Sequence, residues 1–382
     1  MATIKRRAWR TSKGERKEAW RVRYVDQYGE TRTRQFDKRR DADAFRIKAE
    51  SEVANGTHTA DSASITIAEA ADLWVKTAEQ KGRERSTTKQ YREWVELHIK
   101  PLIGAEKLSR LTMPKVEAFK DALLETRSAA MAGKVVRGLS SILTEAPRRG
   151  LVAQNVAKGV RVVRSSRDKA RVIIPTRDDL RTLLKTAADD FADFRPLLMT
   201  AIFTGLRSSE IRGLRRIDVD LKAETITVVQ RADQWGVIGA PKSEAGRRTI
   251  PMPPALVSEL RAWMLRAPNS ELMFPNSEGV VRLHSNLLNR EYWPLQVAAG
   301  IAEPTDRTTE DGEPVMEARY DFHSLRHAAA SAWIKQRVDL RRLTTWLGHS
   351  SVQITLDTYG HLIKDEQGDA ALVLAAQAEL LA

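Results

Sequence analysis

Apolar and polar residues alternate along the first part of the chain with the period of a β-strand. Residues 20–24, WRVRY, place large apolar side chains between arginines, and residues 31–36 repeat the alternation after a turn that contains Gly29. From residue 41 onward, apolar positions recur with helical spacing until Gly56. This pattern predicts a small basic β-sheet backed by one helix.

Four arginines of this sheet are candidates for DNA contacts. We expect them to project from one face, and a sheet of this size can enter a DNA major groove. The alternative is a charged face that only binds water. The four residues are Arg21, Arg23, Arg32 and Arg34.

The next part of the chain is predicted to be a bundle of about four helices. Residues 57–65 are small and polar and are typical of a linker. Helical spacing then covers residues 67–81, a second helix capped by residues 86–88, and two further helices that end near residue 146. The stretch that follows, RVVRSSRDKAR, is an extended basic linker, in which Arg161 and Arg164 are candidates for phosphate contacts.

The last part of the chain, from about residue 172, is predicted to be mixed and mostly helical. Strand-like alternation occurs at residues 225–229 and 249–252, with a glycine-containing hairpin region between them. Residues 283–299 and several other stretches have helical spacing. Residues 303–317 are acidic and contain proline and glycine, so we expect a mobile surface loop there.

Composition adds one strong indication, which is the distribution of charge. The 382 residues carry a net charge of +13. Residues 1–60 contain 16 Lys and Arg against 9 Asp and Glu, residues 61–170 contain 21 against 13, and residues 171–382 contain 26 against 28. The excess positive charge of the first two parts is typical of proteins that bind a polyanion such as nucleic acid.

Other features of the composition narrow the class of protein. Without cysteine the chain has neither disulfides nor a thiolate metal site. The first ten residues lack the apolar core of a signal peptide, and the apolar runs are too short to span a bilayer. We therefore expect a cytoplasmic, nucleoid-associated protein.

Six residues in four separated segments of the last part have the chemistry that phosphodiester cleavage needs. An attacked phosphate becomes more negative and needs fixed cations, and arginine offers a planar fork that stays charged. A tyrosine nucleophile, with a pKa of about 10, needs a proton acceptor or a positive field. The leaving 5′ oxygen needs a proton, which a hairpin lysine can donate. The candidates are Arg207 in TGLRSSE, Lys242 in PKS, His323 and Arg326 in HSLRH, His349 in LGHSS and Tyr359 in TYGH.

Taken singly, each of these residues has an ordinary structural explanation, such as a salt bridge for an arginine or a packed ring for a tyrosine. Their combination and order resemble the tyrosine recombinase family, the phage-type integrases. The resemblance is strongest over residues 172–361. It extends more loosely to STTKQYREWVELHIKPLIG, which is similar to the core-binding domain of these integrases, where Thr88 and Lys89 are candidate DNA contacts.

The resemblance implies a metal-free transesterification without a cofactor. Tyr359 would attack a DNA phosphate and leave a 3′-phosphotyrosine and a free 5′ hydroxyl. Arg207, Arg326 and His349 would hold the phosphate, His323 would take the tyrosine proton and Lys242 would protonate the leaving oxygen. Glu210 would orient these groups.

The implied fold class is multidomain, mainly α with small β-sheets. An arm-type DNA-binding domain, with a three-stranded β-sheet plus helix, would cover residues 1–58, and a helical core-binding domain residues 65–160. A basic linker at residues 161–171 would lead to a mixed α+β catalytic domain at residues 172–382, which ends in a tail helix.

The implied partners are double-stranded DNA with core-type and arm-type attachment sites, a homotetramer on DNA, DNA-bending host factors and an excision factor. The tail helix would dock on a neighbouring protomer or cover its own domain. The activity would integrate or excise a prophage or other mobile element. A chromosome-dimer resolvase, a type IB topoisomerase and a DNA-binding regulator without catalytic activity are the alternatives.

Overall fold

A computed structural model gives the architecture of the chain. It describes residues 2–10, 12, 15–26, 29–56, 58–61, 64–152, 154–163, 173–309, 311–363 and 369–381. The chain divides into two compact units, which span residues 1–170 and 171–382. Within the described residues, no helix is both long enough and apolar enough to cross a bilayer.

The first unit begins with a three-stranded antiparallel sheet in the order β1-β2-β3, which packs on helix α1. Val22 and Tyr24 of the middle strand are buried with Ala42 and Ala49 of the helix, as their apolar alternation requires. The predicted sheet with one helix is confirmed. The elements are β1 (Thr3–Arg10), β2 (Arg16–Val25), β3 (Thr31–Phe36) and α1 (Arg39–Ala54).

The prediction that four arginines share one face of this sheet is wrong. Tyr24 pairs directly with Arg32, and paired residues of antiparallel strands point to the same side. Arg32 and Arg34 therefore lie on the side that faces α1, whereas Arg21 and Arg23 lie on the opposite, outer side. The alternation within each strand was visible in the sequence, but the register between the strands was not.

The two faces differ in how their cations are held. On the inner side, Arg32 pairs with Asp26 at 2.8 Å and Arg34 with Asp61 at 3.1 Å. On the outer side, no ion pair forms among the described residues for five cations of β1 and β2. These cations, called the outer basic face below, are Lys5, Arg7, Lys17, Arg21 and Arg23.

The rest of the first unit is a helical bundle around an apolar core. Thr66 caps its first helix reciprocally with Glu69. The predicted cap at residues 86–88 is wrong, because α3 already begins at Arg85 after Glu84. A π-helical turn, Val95–Ile99, joins α3 to α4. The helices are α2 (Ile67–Gln80), α3 (Arg85–Trp94), α4 (Lys100–Ile103), α5 (Met113–Thr126) and α6 (Ala129–Arg148).

The second unit surrounds α8, which is almost wholly apolar and buried and contacts α7, α10 and α13. These helices are α7 (Arg177–Asp190), α8 (Arg195–Thr204), α9 (Ser208–Arg212), α10 (Pro254–Arg266), α11 (His284–Asn286), α12 (Trp293–Ala298), α13 (Ser324–Lys335), α14 (Leu340–Leu347), α15 (Val352–Ile363) and α16 (Asp369–Leu381). A π-helical turn, Leu287–Tyr292, joins α11 to α12.

Small antiparallel sheets complete the second unit, in the orders β4-β5-β8, β6-β7 and β9-β10. The β6 and β7 strands form part of the predicted hairpin region, and the connection from β7 to β8 carries Lys242. The strands are β4 (Val219–Asp220), β5 (Thr225–Val228), β6 (Arg231–Ala232), β7 (Ile238–Gly239), β8 (Arg248–Pro251), β9 (Ala302–Thr308) and β10 (Pro314–Ala318).

The acidic segment at residues 303–317, predicted to be a mobile surface loop, lies at the surface but is ordered as the β9–β10 hairpin. The Thr305 hydroxyl donates to the Val315 carbonyl at 2.9 Å, and Gly312 adopts a φ of +82° in the connecting turn. Its prolines and charges hid the strand pattern in the sequence. Because β9 and β10 are largely exposed, their pairing depends on the backbone more than on an apolar face.

Candidate active site

One cavity of about 330 Å³ in the second unit brings together five of the six candidate catalytic residues. Its walls come from the segment before α9, the connection before β8, the first turn of α13, the segment after α14 and helix α15. The lining residues are Arg207, Ser243, His323, Arg326, His327, Gly348, His349, Ser350, Ile354, Thr358 and Tyr359.

Glu210 is the buried anion behind this cavity. Arg207 precedes α9, and its backbone N–H and side chain donate to Glu210 at 2.9 and 2.8 Å. Arg248 of β8 donates to both carboxylate oxygens at 3.0 and 2.8 Å. Burial alone would raise the pKa of Glu210, but the Arg248 hydrogen bonds and the charges of both arginines outweigh it and lower this pKa to about 2. Glu210 is therefore ionised and orients both guanidinium groups.

Arg326 is held by carbonyl groups at the ends of two helices. Its guanidinium donates to the Gly205 carbonyl after α8 at 2.8 Å and to the Leu347 carbonyl at the end of α14. Such C-terminal carbonyls lack partners within their helices and attract cations. Burial and the charge of Arg207 lower the pKa of Arg326 to about 9, so it stays cationic at neutral pH.

Gly348 provides a close approach that no other residue allows. It ends α14 with a φ of +61°, and its carbonyl accepts a hydrogen bond from Arg207 at 3.2 Å. A Cβ atom at this position would lie 2.8 Å from a guanidinium nitrogen of Arg248. The Arg248 side chain itself donates to the Trp346 carbonyl at 2.7 Å. The glycine thus lets the end of α14 pack directly on the arginine pair.

Tyr359 lies on the buried face of α15, where only 1% of the residue is exposed. It packs against Leu343 and Leu347 of α14. Its hydroxyl lies 2.7 Å from Nδ1 of His327. Burial raises the pKa of Tyr359 to about 12, although Arg326 and Arg207 pull it down. This hydroxyl is thus hydrogen-bonded to His327, and not to His323, which the resemblance implied as its proton acceptor.

The His349 ring is held in place by a chain of two threonine hydroxyl groups that begins on α15. Its Nδ1 lies 2.9 Å from the Thr355 hydroxyl, which lies 2.9 Å from the Thr344 hydroxyl. Burial and the charges of Arg326 and Arg207 lower the pKa of His349 to about 4. The ring is therefore neutral at physiological pH before DNA arrives.

His323 stands at the rim of the cavity, at the N-terminus of α13. The residue is solvent-exposed, and its ring meets the His327 ring edge to face at a centroid distance of 4.8 Å. Although the residue as a whole is exposed, partial desolvation of its ring and the charges of His327 and Arg326 lower the pKa of His323. Its position favours contact with an incoming group more than with the buried Tyr359 hydroxyl.

Lys242 is the one candidate that does not line the cavity. It is exposed in the connection between β7 and β8, next to Ser243, which does line the cavity. Gly246 later in this connection has no room for a side chain, because a Cβ would lie 2.5 Å from Pro241. The connection is thus tightly folded where Gly246 meets Pro241.

The candidate DNA contacts of the helical block have different environments. Thr88 is buried and its hydroxyl donates to the Arg85 carbonyl at 3.1 Å, which leaves little of its side chain for DNA. Lys89 is exposed and 3.9 Å from Glu93. Arg161 is also exposed. The predicted contact at Arg164 lies outside the described residues.

Two residues of the site were missed from the sequence. Arg248 was hidden in GRRTIP beside Arg247, and only the strand alternation indicated that one of the two would be buried. His327 directly follows Arg326 in HSLRH, but the His-x-x-Arg pattern of the resemblance indicates His323 instead. No cluster of three or more His, Asp or Glu side chains that could hold a metal ion occurs in the described part of the chain.

Comparison with known proteins identifies the family of the chain. The model of the phage integrase family matches residues 175–366, half of the chain. A putative prophage phiRv2 integrase of Mycobacterium tuberculosis is 26% identical over 318 residues, covering 81% of this chain and 78% of the relative. A XerC-like tyrosine recombinase of Caldanaerobacter subterraneus is 23% identical over 378 residues, covering 91% of this chain and 90% of the relative.

Solved structures show the same fold. The Tn1549 transposon integrase in complex with a circular intermediate DNA has a TM-score of 0.65 at 17% identity, covering 84% of this chain and 100% of that chain. A lambda integrase dimer bound to a COC′ core site has a TM-score of 0.58 at 19% identity, covering 94% of this chain and 95% of that chain. The chain therefore belongs to the phage integrase family and is a site-specific tyrosine recombinase.

Proposed function

We propose that this recombinase integrates or excises a prophage or other mobile element, with Tyr359 as the nucleophile that cuts and rejoins DNA. The observation that carries the proposal is the cavity that Tyr359 shares with Arg207, Arg326, His323 and His349. Attack of the tyrosine oxygen on a phosphate would leave a 3′-phosphotyrosine and a free 5′ hydroxyl. Attack by the 5′ hydroxyl of a partner duplex would then rejoin the strands without an external energy source.

The charge around the cavity suits a phosphate in its transition state. Arg207 and Arg326 each use two N–H groups on the protein and have five in total. Their remaining donors are available to the equatorial oxygens, and both groups are fixed before DNA binds. Such preorganised donors stabilise developing negative charge without reorganisation during the reaction. His349 and His323 would add further donors to the phosphate.

Lys242 would protonate the leaving 5′ oxygen. It lies in a connection next to the cavity, and an ammonium group on four methylenes can reach over a bound phosphate. Its exposure in the free protein is consistent with a role that begins only when DNA covers the site.

The outer basic face of the N-terminal sheet would bind arm-type DNA. Its five cations form no ion pair with the residues that the structure describes, so they can neutralise phosphates, which releases counterions and favours binding. Arg32 and Arg34, which are already paired with carboxylates, would contribute less. Lys89, Arg161 and Arg164 would add contacts to core-type DNA. This appended sheet favours an integrase over a chromosome-dimer resolvase or a topoisomerase, which need no arm sites.

Recombination exchanges strands between two duplexes, and each duplex is cut on both strands. Because four strands are cut, we propose a homotetramer on DNA. One solved structure that resembles this chain, with a TM-score of 0.57, is a lambda integrase tetramer bound to a Holliday junction. Helix α16 exposes several apolar side chains, which favours docking on a neighbouring protomer. DNA-bending host factors and an excision factor would control the direction of the reaction.

A nicked suicide duplex that carries the recombination site tests the nucleophile. Cleavage next to the nick releases a short fragment, so the covalent protein–DNA adduct accumulates and survives denaturation. We expect an adduct from the wild-type protein and none from Tyr359→Phe, which should still bind the duplex. An adduct with Tyr359→Phe would refute the assignment of the nucleophile.

A further inference from the structure

His327 is the residue that contacts the reacting atom of Tyr359. Its Nδ1 lies 2.7 Å from the tyrosine hydroxyl, a short hydrogen bond that links α13 to α15. The two rings meet at a centroid distance of 5.5 Å and an angle of 61°. This contact gives His327 a direct path to the hydroxyl proton.

The neighbourhood of His327 favours a neutral ring. The residue is half-buried, and the groups that face it are His323 and Arg326 on its own helix, Asp321 before that helix and Tyr359 on α15. Burial and Arg326 lower the pKa of His327, although Asp321 opposes this effect. A neutral imidazole with its proton on Nε2 presents a bare Nδ1 to the tyrosine.

The buried tyrosine needs such an acceptor. Burial raises the pKa of Tyr359 to about 12, so the free phenolate is rare at neutral pH. Proton removal must therefore accompany the attack, which is the role of a general base within hydrogen-bonding distance. The negative charge of a bound phosphate would also strengthen the base by raising the pKa of its imidazole.

We propose that His327, and not His323, is the general base of strand cleavage; this rests on the proposed function of Tyr359 as the nucleophile. As the tyrosine oxygen bonds to phosphorus, the hydroxyl proton passes to His327 Nδ1. The bond from phosphorus to the 5′ oxygen breaks at the same time, and Lys242 protonates that oxygen. In rejoining, a 5′ hydroxyl gives up its proton to Lys242 and attacks phosphorus, and His327 returns its proton to Tyr359.

Single-turnover cleavage of the suicide duplex by full-length variants tests this assignment. His327→Ala removes both the contact and the base, whereas His327→Asn keeps a hydrogen-bonding group near the position of Nδ1 but cannot accept a proton at neutral pH. We expect both variants to bind DNA like the wild type and to cleave at least about 100-fold more slowly. Near wild-type cleavage by His327→Asn would overturn the proposal, because it would reduce His327 to a positioning residue.

A duplex with a bridging 5′ sulfur at the scissile phosphate separates base from acid. Sulfur leaves without a proton, so it should restore cleavage to Lys242→Ala but not to either His327 variant. Rescue of the His327 variants would assign them to the leaving group and overturn the proposal. His323→Ala is the matched control, and we expect it to keep the dependence of the rate on pH that His327→Asn loses.

A measurement on the wild-type protein does not depend on how the variants fold. The ¹⁵N resonances of the His327 ring show which nitrogen carries hydrogen, and we expect a bare Nδ1 at neutral pH. A protonated Nδ1 would make the ring a donor to Tyr359 and overturn the proposal. If the wild-type protein forms no adduct at all, the proposed function fails, which is a different result from an adduct that is unaffected by changes at His327.

Discussion

Arg248 and Glu210 form a two-point ion pair behind the candidate active site, with distances of 3.0 and 2.8 Å between their guanidinium and carboxylate groups. Both side chains are nearly inaccessible, with 1% and 4% exposure. Glu210 also binds Arg207, so one buried carboxylate fixes this proposed phosphate-binding arginine and ties α9 to β8. Because the pair is buried, its loss should affect the fold as well as the chemistry.

Glu210→Gln should destabilise the protein by about 3–5 kcal/mol, because it leaves the Arg248 charge buried without a counterion. The pKa of Glu210 is lowered from 4.5 to about 2, so the ionised form stabilises the fold above pH 4.5. This contribution disappears as the pH falls from 4.5 to 2. Denaturant unfolding across this range should show the free energy of unfolding of the wild type approaching that of Glu210→Gln as the pH falls.

Asp178→Asn is the matched control for Glu210→Gln, because Asp178 pairs with Arg181 at 3.2 Å and both side chains are exposed. The midpoint of denaturant unfolding of Asp178→Asn should stay near that of the wild type. An equal effect of the two changes would contradict a special role for the buried pair.

Gly348→Ala should be more harmful than Gly300→Ala, although both glycines have a positive φ, of +61° and +68°. Alanine in this region costs about 1–2 kcal/mol. At Gly300 nothing lies within 4 Å of the added Cβ, whereas at Gly348 it would meet Arg248 at 2.8 Å. We expect both variants to lower the melting temperature, Gly348→Ala by more, and only Gly348→Ala to reduce adduct formation. Similar losses in both variants would mean that strain, and not the arginine contact, explains the glycine.

The outer basic face predicts how the affinity for DNA depends on salt. The double variant Arg21→Ala, Arg23→Ala should make the negative slope of log affinity against log salt shallower by about 2. The reason is that each phosphate contact contributes about −0.9 to this slope. Arg32→Ala with Arg34→Ala should change the slope little, because Asp26 and Asp61 already pair with these arginines. Anisotropy titrations of the full-length variants with an arm-site duplex measure both slopes. Equal reductions would show that both faces bind DNA.

The sequence predicted those features that depend on neighbours along the chain. The motifs around Arg207, Arg326 and Tyr359 can be recognised in the sequence because the residues of each motif lie within one helical turn or helix cap. The face of Arg32 depended on a register with β2 that no local pattern encodes. The pairing of Arg248 with Glu210, 38 residues earlier, likewise arises only when β8 and α9 pack together.

Because of His349, we expect the folded protein to lose stability in mild acid. The pKa of His349 is about 4 in the folded protein and 6.5 in its ordinary state, so the unfolded chain binds more protons between these values. Stability from the neutral ring is therefore present above pH 6.5 and lost as the pH falls toward 4. His349→Gln should show a flatter profile of unfolding midpoint against pH between 6.5 and 4.5, above the range in which Glu210 titrates. A profile identical to that of the wild type would show that this ring is not the group responsible.

The tail helix predicts a separation between DNA binding and recombination. Val373, Leu374, Leu380 and Leu381 of α16 are 67%, 65%, 84% and 78% exposed. Because exposed leucines contribute little to the fold of one chain, Leu374→Glu with Leu380→Glu should leave the melting temperature unchanged. If α16 docks on a neighbouring protomer, the double variant should bind a single site normally but fail to form a tetramer and to recombine.

Gln377→Glu, which adds a charge at another exposed position of α16, is the control and should recombine normally. Sedimentation of the protein–DNA complexes and a two-site recombination assay measure the two properties separately. Recombination at the wild-type rate by the double variant would exclude docking through these leucines. Loss of single-site binding would instead indicate that α16 supports its own unit, because a contact between protomers has no part in binding one site.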